Sequence, residues 1–175
     1  MDKPMPNWAF NGMSFMFRIR DLFESRAQIL QEVNLEPGFC VLDYGCGPGT
    51  YVSHLADRVG KSGRVYALDL HPLAVERVRS LARKRRLGNV EAIQSDCATG
   101  LPDDSVDVVL LYDIFHMLSE PEAVLSELRR VLKADGTLSV HDPHMPENKL
   151  TSGVTASSEF VLVDKGERTY RFAKH

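Results

Sequence analysis

From Gly38 onward, short apolar runs alternate with helical patterns, and each of the first three runs leads to an aspartate. Phe39 to Leu42 reads as a buried strand and stops in Asp43-Tyr-Gly-Cys-Gly-Pro-Gly49. Thr50 to Val59 follows as a helix. Val65 to Leu68 is a second strand ending on Asp69, and a helix from Pro72 carries the stripe Ala74, Val78, Leu81 and Ala82, with Gly88 expected to close it. Val90 to Ile93 runs toward Asp96, and Val106 to Tyr112 toward Asp113. Ser119 and Glu122 suggest a capping box for a helix bearing Val124, Leu125, Leu128, Val131 and Leu132. Asp135-Gly136 is expected to turn into a fifth strand, Thr137 to Val140. Residues 143–158 read as polar and irregular. Phe160 to Val163 and Thr169 to Phe172 read as a closing hairpin, with Lys165-Gly166 at the turn.

Such alternation predicts an α/β fold: a Rossmann-like, doubly wound, mostly parallel sheet of about seven strands with a C-terminal antiparallel hairpin and helices on both faces. Right-handed crossovers bring the carboxyl ends of parallel strands to one edge, where ligands bind. Asp43, Asp69, Asp96 and Tyr112-Asp113 are therefore expected to be neighbours in space.

Gly45, Gly47 and Gly49 allow backbone amides to approach a ligand at a helix N-terminus. Such a loop serves equally well as a tight turn, so its companions matter. A dinucleotide loop would be Gly-x-Gly-x-x-Gly, but Thr50 stands at the sixth position, and Asp43 would repel a pyrophosphate. A carboxylate there suits a ligand carrying an ammonium group and a positive sulfonium. Asp69, 20 residues after Gly49, suits a ribose diol, and Asp96 an adenine amino group. Each aspartate alone could simply cap a turn.

Val41-Leu-Asp-Tyr-Gly-Cys-Gly-Pro-Gly-Thr50 resembles the first motif of class I S-adenosylmethionine-dependent methyltransferases. The likeness continues through Val65-Tyr-Ala-Leu-Asp69, Gln94-Ser-Asp-Cys97, Leu101-Pro-Asp-Asp-Ser-Val-Asp107 and Leu128-Arg-Arg-Val-Leu-Lys-Ala-Asp-Gly-Thr137. Within that family the chain is most similar to small-molecule enzymes of the ubiquinone/menaquinone-biosynthesis type. The resemblance implies S-adenosyl-L-methionine as cofactor. Asp43 and the loop Gly45, Cys46, Gly47 and Gly49 would hold its methionine part, Asp69 the ribose, and Asp96 with the Cys97 backbone the adenine. Leu70 and His71 would flank the adenine ring, and Tyr112 and Asp113 would line the methionine end. A cofactor-binding subunit or sensor without chemistry is the alternative.

Methyl transfer needs a base only where the acceptor must lose a proton. His116, after the fourth strand, and His144, after the fifth beside His141 and Asp142, are the candidate catalytic residues; packing and loop roles are the plainer readings. A metal site is not expected. The chain lacks the Asp/Asn-Pro-Pro-Tyr pattern of many enzymes that methylate amino groups. Its basic run Arg77 to Arg86 reads as a solvated helix face, so a small-molecule acceptor is expected and nucleic acid is not.

The segment before Gly38 is different. Residues 4–17 carry no charge, and the first 23 residues hold four of the eight Phe, four of the six Met and the one Trp. A helical face of Ile19, Leu22, Phe23, Ile29, Leu30 and Val33 is expected, ended by Pro37-Gly38. Trp8, Phe10, Met13, Phe15 and Met16 fit core packing, an interfacial segment, or a lid that would favour an apolar or aromatic acceptor. The expected division is a helical lid or cap over residues 1–37 and a cofactor domain over 38–175. With 175 residues, either the acceptor is small and covered by the N-terminal segment, or a second copy, as in a homodimer, completes the pocket. A net charge of −3 gives no strong field toward nucleic acid or anionic membrane. No apolar run predicts stable membrane insertion, and three cysteines without a CxxC pair suggest a reducing cytoplasm.

Overall fold

Seven strands form one sheet in the order β3-β2-β1-β4-β5-β7-β6. They are β1 (Cys40–Tyr44), β2 (Arg64–Asp69), β3 (Val90–Gln94), β4 (Val106–Tyr112), β5 (Leu132–His141), β6 (Phe160–Lys165) and β7 (Tyr170–Lys174). The first five are parallel, and β7 runs antiparallel between β5 and β6. The computed structural model describes residues 4–23 and 26–175. The helices are α1 (Asn7–Phe23), α2 (Arg26–Ile29), α3 (Val52–Val59), α4 (Pro72–Arg85), α5 (Pro121–Val131) and α6 (Glu147–Thr155).

Alternation along the strands divides the core between two faces. Val109 and Leu111 of β4 pack with Val124, Leu125 and Leu128 of α5, whereas Val108, Leu110 and Tyr112 pack with Ile29, Leu30, Leu55 and Val59. Because both faces are covered, β4 is apolar at nearly every position, as a central parallel strand must be. Glu32 ties the N-terminal region to the hairpin: its Oε2 accepts from the Thr169 backbone N–H at 2.9 Å and from the Thr169 hydroxyl at 2.8 Å.

Local expectations fail where tertiary demands differ from sequence cues. The charge-free stretch is already helical, since α1 starts at Asn7. The side chains of Ile19, Leu22 and Phe23 lie outside the described residues, while Ile29, Leu30 and Val33 are buried. Instead of Gly88, Arg86 takes the left-handed conformation after α4, at φ +56°, and its N–H reaches the Ala82 and Arg83 carbonyls. Among the described residues no capping box forms at α5: Pro121 opens the helix, and the N-cap is Glu120, not Ser119, with no side-chain capping bond. Asp135-Gly136 lies within a longer β5 at an irregularity in its pairing with β4, not in a separate turn. Gly136 is required there, since a Cβ would come 2.7 Å from Leu132 and 3.0 Å from the Asp107 carbonyl. The polar 143–158 connection contains α6, which Leu150 and Val154, one turn apart, bury against the sheet. Two apolar residues in nine are too sparse to mark a helix by pattern alone.

Among the described residues, no helix is long and apolar enough to cross a membrane. Leu110, fully buried in central β4, is expected to carry a large share of stability. Leu110→Ala should destabilise the chain by about 2–5 kcal/mol in urea unfolding, with an unchanged denaturant slope.

Candidate functional site

A cavity of about 230 Å³ opens at the carboxyl edge of the sheet, where β1 lies between β2 and β4. Strand order reverses at this point, so the connections from β1 and β4 diverge and leave a crevice. The glycine loop is pinned across it. The Gly45 and Cys46 N–H groups both donate to the Leu68 carbonyl, at 2.8 and 2.9 Å. The Gly47 N–H donates to Asp69 Oδ2 at 2.8 Å, and the His71 N–H to Asp69 Oδ1 at 2.7 Å. One carboxylate thus holds both the loop after β1 and the start of α4. Gly45 has φ +78°, and a Cβ there would lie 2.8 Å from Ile114, so the turn admits only glycine without movement.

Asp43, at the end of β1, is almost wholly buried, and among the described residues its Oδ2 has no hydrogen-bond partner. Burial, reinforced by the nearby Asp69 charge, pushes its carboxyl up to about 7. Asp69 is also raised by burial, although its two backbone donors oppose the change. A buried acid lacking a donor is costly to ionise and calls for a cationic or N–H-bearing ligand.

Of the residues singled out from sequence, Asp43, Gly45, Cys46, Gly47, Asp69, Leu70, His71, Asp96, Tyr112 and Asp113 line this cavity. Gly49 and Cys97 are absent from its wall. Gly49, at φ +85°, lets α4 approach, with a Cβ position 3.1 Å from Val78. Cys97 lies in an adjoining shallow depression with Asp96, and its N–H donates to Ser95 Oγ at 3.3 Å. Tyr51, Ile114 and Met117 join the wall without having been marked by any motif, and so does Ser95, which lies inside Gln94-Ser-Asp-Cys97 but was not singled out. Arg26 is a further omission. It is buried, donates to the Tyr51 hydroxyl at 2.9 Å, and lies 5.3 Å from that ring's centroid. A single arginine in a helical pattern gave no signal of this.

The N-terminal segment closes one side, where Pro4, Met5, Phe10 and Met13 line the cavity. Phe10 stacks on His71 with ring centroids 4.2 Å apart, and the Arg77 guanidinium lies 5.0 Å from the Phe10 centroid. His71 Nε2 lies 2.9 Å from the Met5 carbonyl, while its Nδ1 accepts from the Leu73 N–H at 3.1 Å. These partners require a neutral ring with the proton on Nε2. Trp8, Phe15 and Met16 face outward, at 78%, 64% and 68% exposure.

Beyond Ile114, a short 3-10 turn, Phe115–Met117, carries His116. Its Nδ1 lies 2.8 Å from Asp142 Oδ2 and its backbone N–H donates to the same oxygen at 3.0 Å. The His144 ring is tilted against His116, with centroids 4.7 Å apart. His141 is directed elsewhere: it is buried, and its Nδ1 lies 2.6 Å from the Arg168 carbonyl. Among the described residues, no group of three or more His, Cys, Asp or Glu side chains is arranged to hold a metal.

Comparison with known proteins agrees with this geometry. The family described as a methyltransferase domain matches residues 35–174. (S)-Coclaurine N-methyltransferase from Thalictrum flavum subsp. glaucum is 32% identical over 120 residues, covering 69% of this chain and 31% of that protein. Demethylmenaquinone methyltransferase from Geobacillus kaustophilus is 28% identical over 128 residues, covering 73% and 55%. The chain thus spans about a third to a little over half the length of these curated relatives. A crystal structure of a SAM-dependent methyltransferase from Aquifex aeolicus superposes with a TM-score of 0.72 at 30% identity, covering 85% of this chain and 88% of that one. With the family match extending over nearly the whole sheet, and with the crevice where that fold binds its ligand, the chain belongs to the class I methyltransferase-domain family.

Proposed function

We propose that this chain is an S-adenosylmethionine-dependent methyltransferase acting on a small molecule. The observation that carries the reading is the buried Asp43 carboxylate, one oxygen of which has no partner among the described residues, in a cavity that also presents Asp69 and Asp96. A dinucleotide's pyrophosphate would be repelled by that carboxylate. An ammonium group near a sulfonium would satisfy it.

The residues present fit this cofactor. Asp43 would take the charged methionine end, with Tyr112 and Asp113 beside it and the Gly45–Gly47 backbone covering it. Asp69 spends two lone-pair sites on backbone N–H groups and retains others for a ribose diol. Asp96 would take the adenine amino group, with Cys97 behind it and Leu70 and His71 along the ring; Gly49 would act through helix packing. Bound S-adenosylmethionine supplies a methyl group already activated for in-line displacement by its sulfonium. The chain then has to orient the acceptor and exclude water, a contribution of about 7–11 kcal/mol in well-aligned pairs.

Residues 1–37 act as a lid and 38–175 as the cofactor domain in this reading. The apolar wall of Met13, Ile114 and Met117 favours an apolar or aromatic acceptor. Relatives named for coclaurine and demethylmenaquinone support a small-molecule acceptor. His116 and His144, after β4 and β5, are the residues available as a base. The three free cysteines suit a reducing cytoplasm.

A metabolite extract incubated with methyl-labelled S-adenosylmethionine should yield S-adenosylhomocysteine and a labelled small product identifiable by mass spectrometry. Binding without turnover would instead fit a sensor, and absence of binding would overturn the reading. Asp69→Asn should weaken S-adenosylhomocysteine binding at least about tenfold by calorimetry, as expected for a lost hydrogen bond to a charged acceptor.

Asp43 generates a pH signature in the ligand-free chain. Its folded pKa of about 7 lies above the unfolded value of ~3.9. The unfolded chain therefore loses this proton first, and stability falls as pH rises from about 4 to 7. Asp43→Asn should raise the ligand-free melting temperature at pH 7.5 by at least about 2 °C and leave it nearly unchanged at pH 4. The same variant should bind S-adenosylmethionine more weakly, so stability and affinity move in opposite directions.

Phe10→Ala removes the ring between His71 and Arg77. It should speed S-adenosylhomocysteine release about tenfold in stopped-flow displacement, since one such stacking partner contributes roughly 0.5–1.5 kcal/mol beyond its buried area.

A further inference from the structure

Asp142 is a buried carboxylate that contacts both candidate bases but treats them differently. Its Oδ2 accepts from the His116 backbone N–H at 3.0 Å, and its Oδ1 from the His144 backbone N–H at 3.1 Å. The His116 ring presents Nδ1 to both oxygens, at 3.0 and 2.8 Å. Among the described residues no lysine or arginine pairs with Asp142, whose side chain is completely buried while that of His116 is 29% exposed. A carboxylate already accepting a backbone N–H on each oxygen accepts from the ring as well, so the ring proton belongs on Nδ1. That leaves the Nε2 lone pair free. The His144 ring lies tilted against the His116 ring and, among the described residues, has no carboxylate on its ring nitrogens to select its tautomer.

Resting on the methyltransferase reading, we infer that His116 is the catalytic base and Asp142 its positioning residue, and that the acceptor is a nucleophile bearing a proton it must lose. His116 and His144 are not themselves in the cavity wall, but the His116 turn, Phe115–Met117, follows Ile114 and includes Met117, both of which are, so His116 stands at the cavity's rim. The acceptor's lone pair forms the bond to the methyl carbon, and the methyl–sulfur electron pair stays on sulfur. The acceptor's proton passes to His116 Nε2. The resulting imidazolium lies against the Asp142 carboxylate and later gives the proton to water. Hydroxyls and neutral amines bearing an N–H fit this chemistry, and an ammonium fits once it has given its proton to His116 Nε2 and so freed its lone pair; a thioether, which has no proton to give, does not need it.

The first test uses the unmodified chain. Nitrogen-15 NMR of the histidine rings at pH 8 should find the Nδ1–H tautomer at His116; finding Nε2–H there overturns the inference whatever the activity. In Asp142→Asn the side-chain amide can donate to Nδ1, which should switch the tautomer to Nε2–H. Turnover is then followed with labelled S-adenosylmethionine and catechol, benzylamine or thioanisole, together with the acceptor found in the extract. His116→Gln and Asp142→Asn should each lower kcat for the best protic acceptor by about 10²–10⁴-fold. KM and S-adenosylhomocysteine affinity should stay within about threefold, and the double variant should be no slower than the worse single one. If the chain turns over an acceptor and His116→Gln stays within twofold of the parent, this inference fails while the methyltransferase reading stands. If S-adenosylmethionine does not bind at all, the reading itself fails.

Discussion

The site depends on two acids held near adjacent strand ends, Asp43 almost wholly buried and Asp69 half-buried. Asp43 lies one residue before the end of β1, opposite Ala67, and Asp69 ends β2 two residues further on, so strand pairing brings both to the same edge of the sheet. Each raises the cost of ionising Asp43: burial is the larger effect and the neighbouring charge the smaller. Asp69 offsets part of its own cost by accepting the Gly47 and His71 N–H groups. Those bonds are also what shape the glycine loop and start α4. The loop conformation, the helix start and the local electrostatics are therefore one coupled arrangement. Asp43 remains the member whose Oδ2 has no partner among the described residues, which is what the proposed cationic ligand would supply.

Strand and helix alternation was readable because both faces of the sheet are covered, so central strands show as unbroken apolar runs. The aspartates at strand ends were readable for a related reason: a charge that interrupts such a run has to leave the core at a fixed edge. What failed to show were features set by contacts distant in sequence. Arg86 rather than Gly88 caps α4 because the helix ends where its last carbonyls can be reached, at a cost in backbone conformation that glycine would have avoided. Gly136 looked like a turn residue, yet its small size is needed against Leu132 and the Asp107 carbonyl within a strand. The helix Glu147–Thr155 offers only Leu150 and Val154 to the core, a signal weaker than the polar residues around them.

The same distinction divides the site. Its cofactor half follows from spacing along the chain: Asp43 to Gly45 to Gly47, then Asp69 and Asp96. Its other half is assembled across elements, from Phe10 on α1 against His71, Arg26 on α2 against Tyr51, and Asp142 after β5 against His116. No spacing rule connects these pairs, which lie 61, 25 and 26 positions apart. The histidines were visible as titratable groups near the correct edge, but only the fold distinguishes them. His141 is tied to the Arg168 carbonyl, His144 has only its backbone N–H on the carboxylate, and His116 has its ring there as well.

The two halves also differ in what they require of the chain. The residues proposed to hold the cofactor sit at or just after strand ends and on a tightly hydrogen-bonded loop, so their positions are set by the sheet itself. The side proposed to meet the acceptor consists of α1, whose Phe10 and Met13 meet the cavity while Trp8, Phe15 and Met16 face outward, and the short turn carrying His116 and Met117. The His116 turn is itself held in place: Phe115 packs into the core, and Asp142 anchors the turn through the His116 backbone N–H as well as the ring. In the proposed reading, a base that must keep one tautomer needs an anchor of this kind, and Asp142, directly after β5, supplies it from the end of a strand of the sheet.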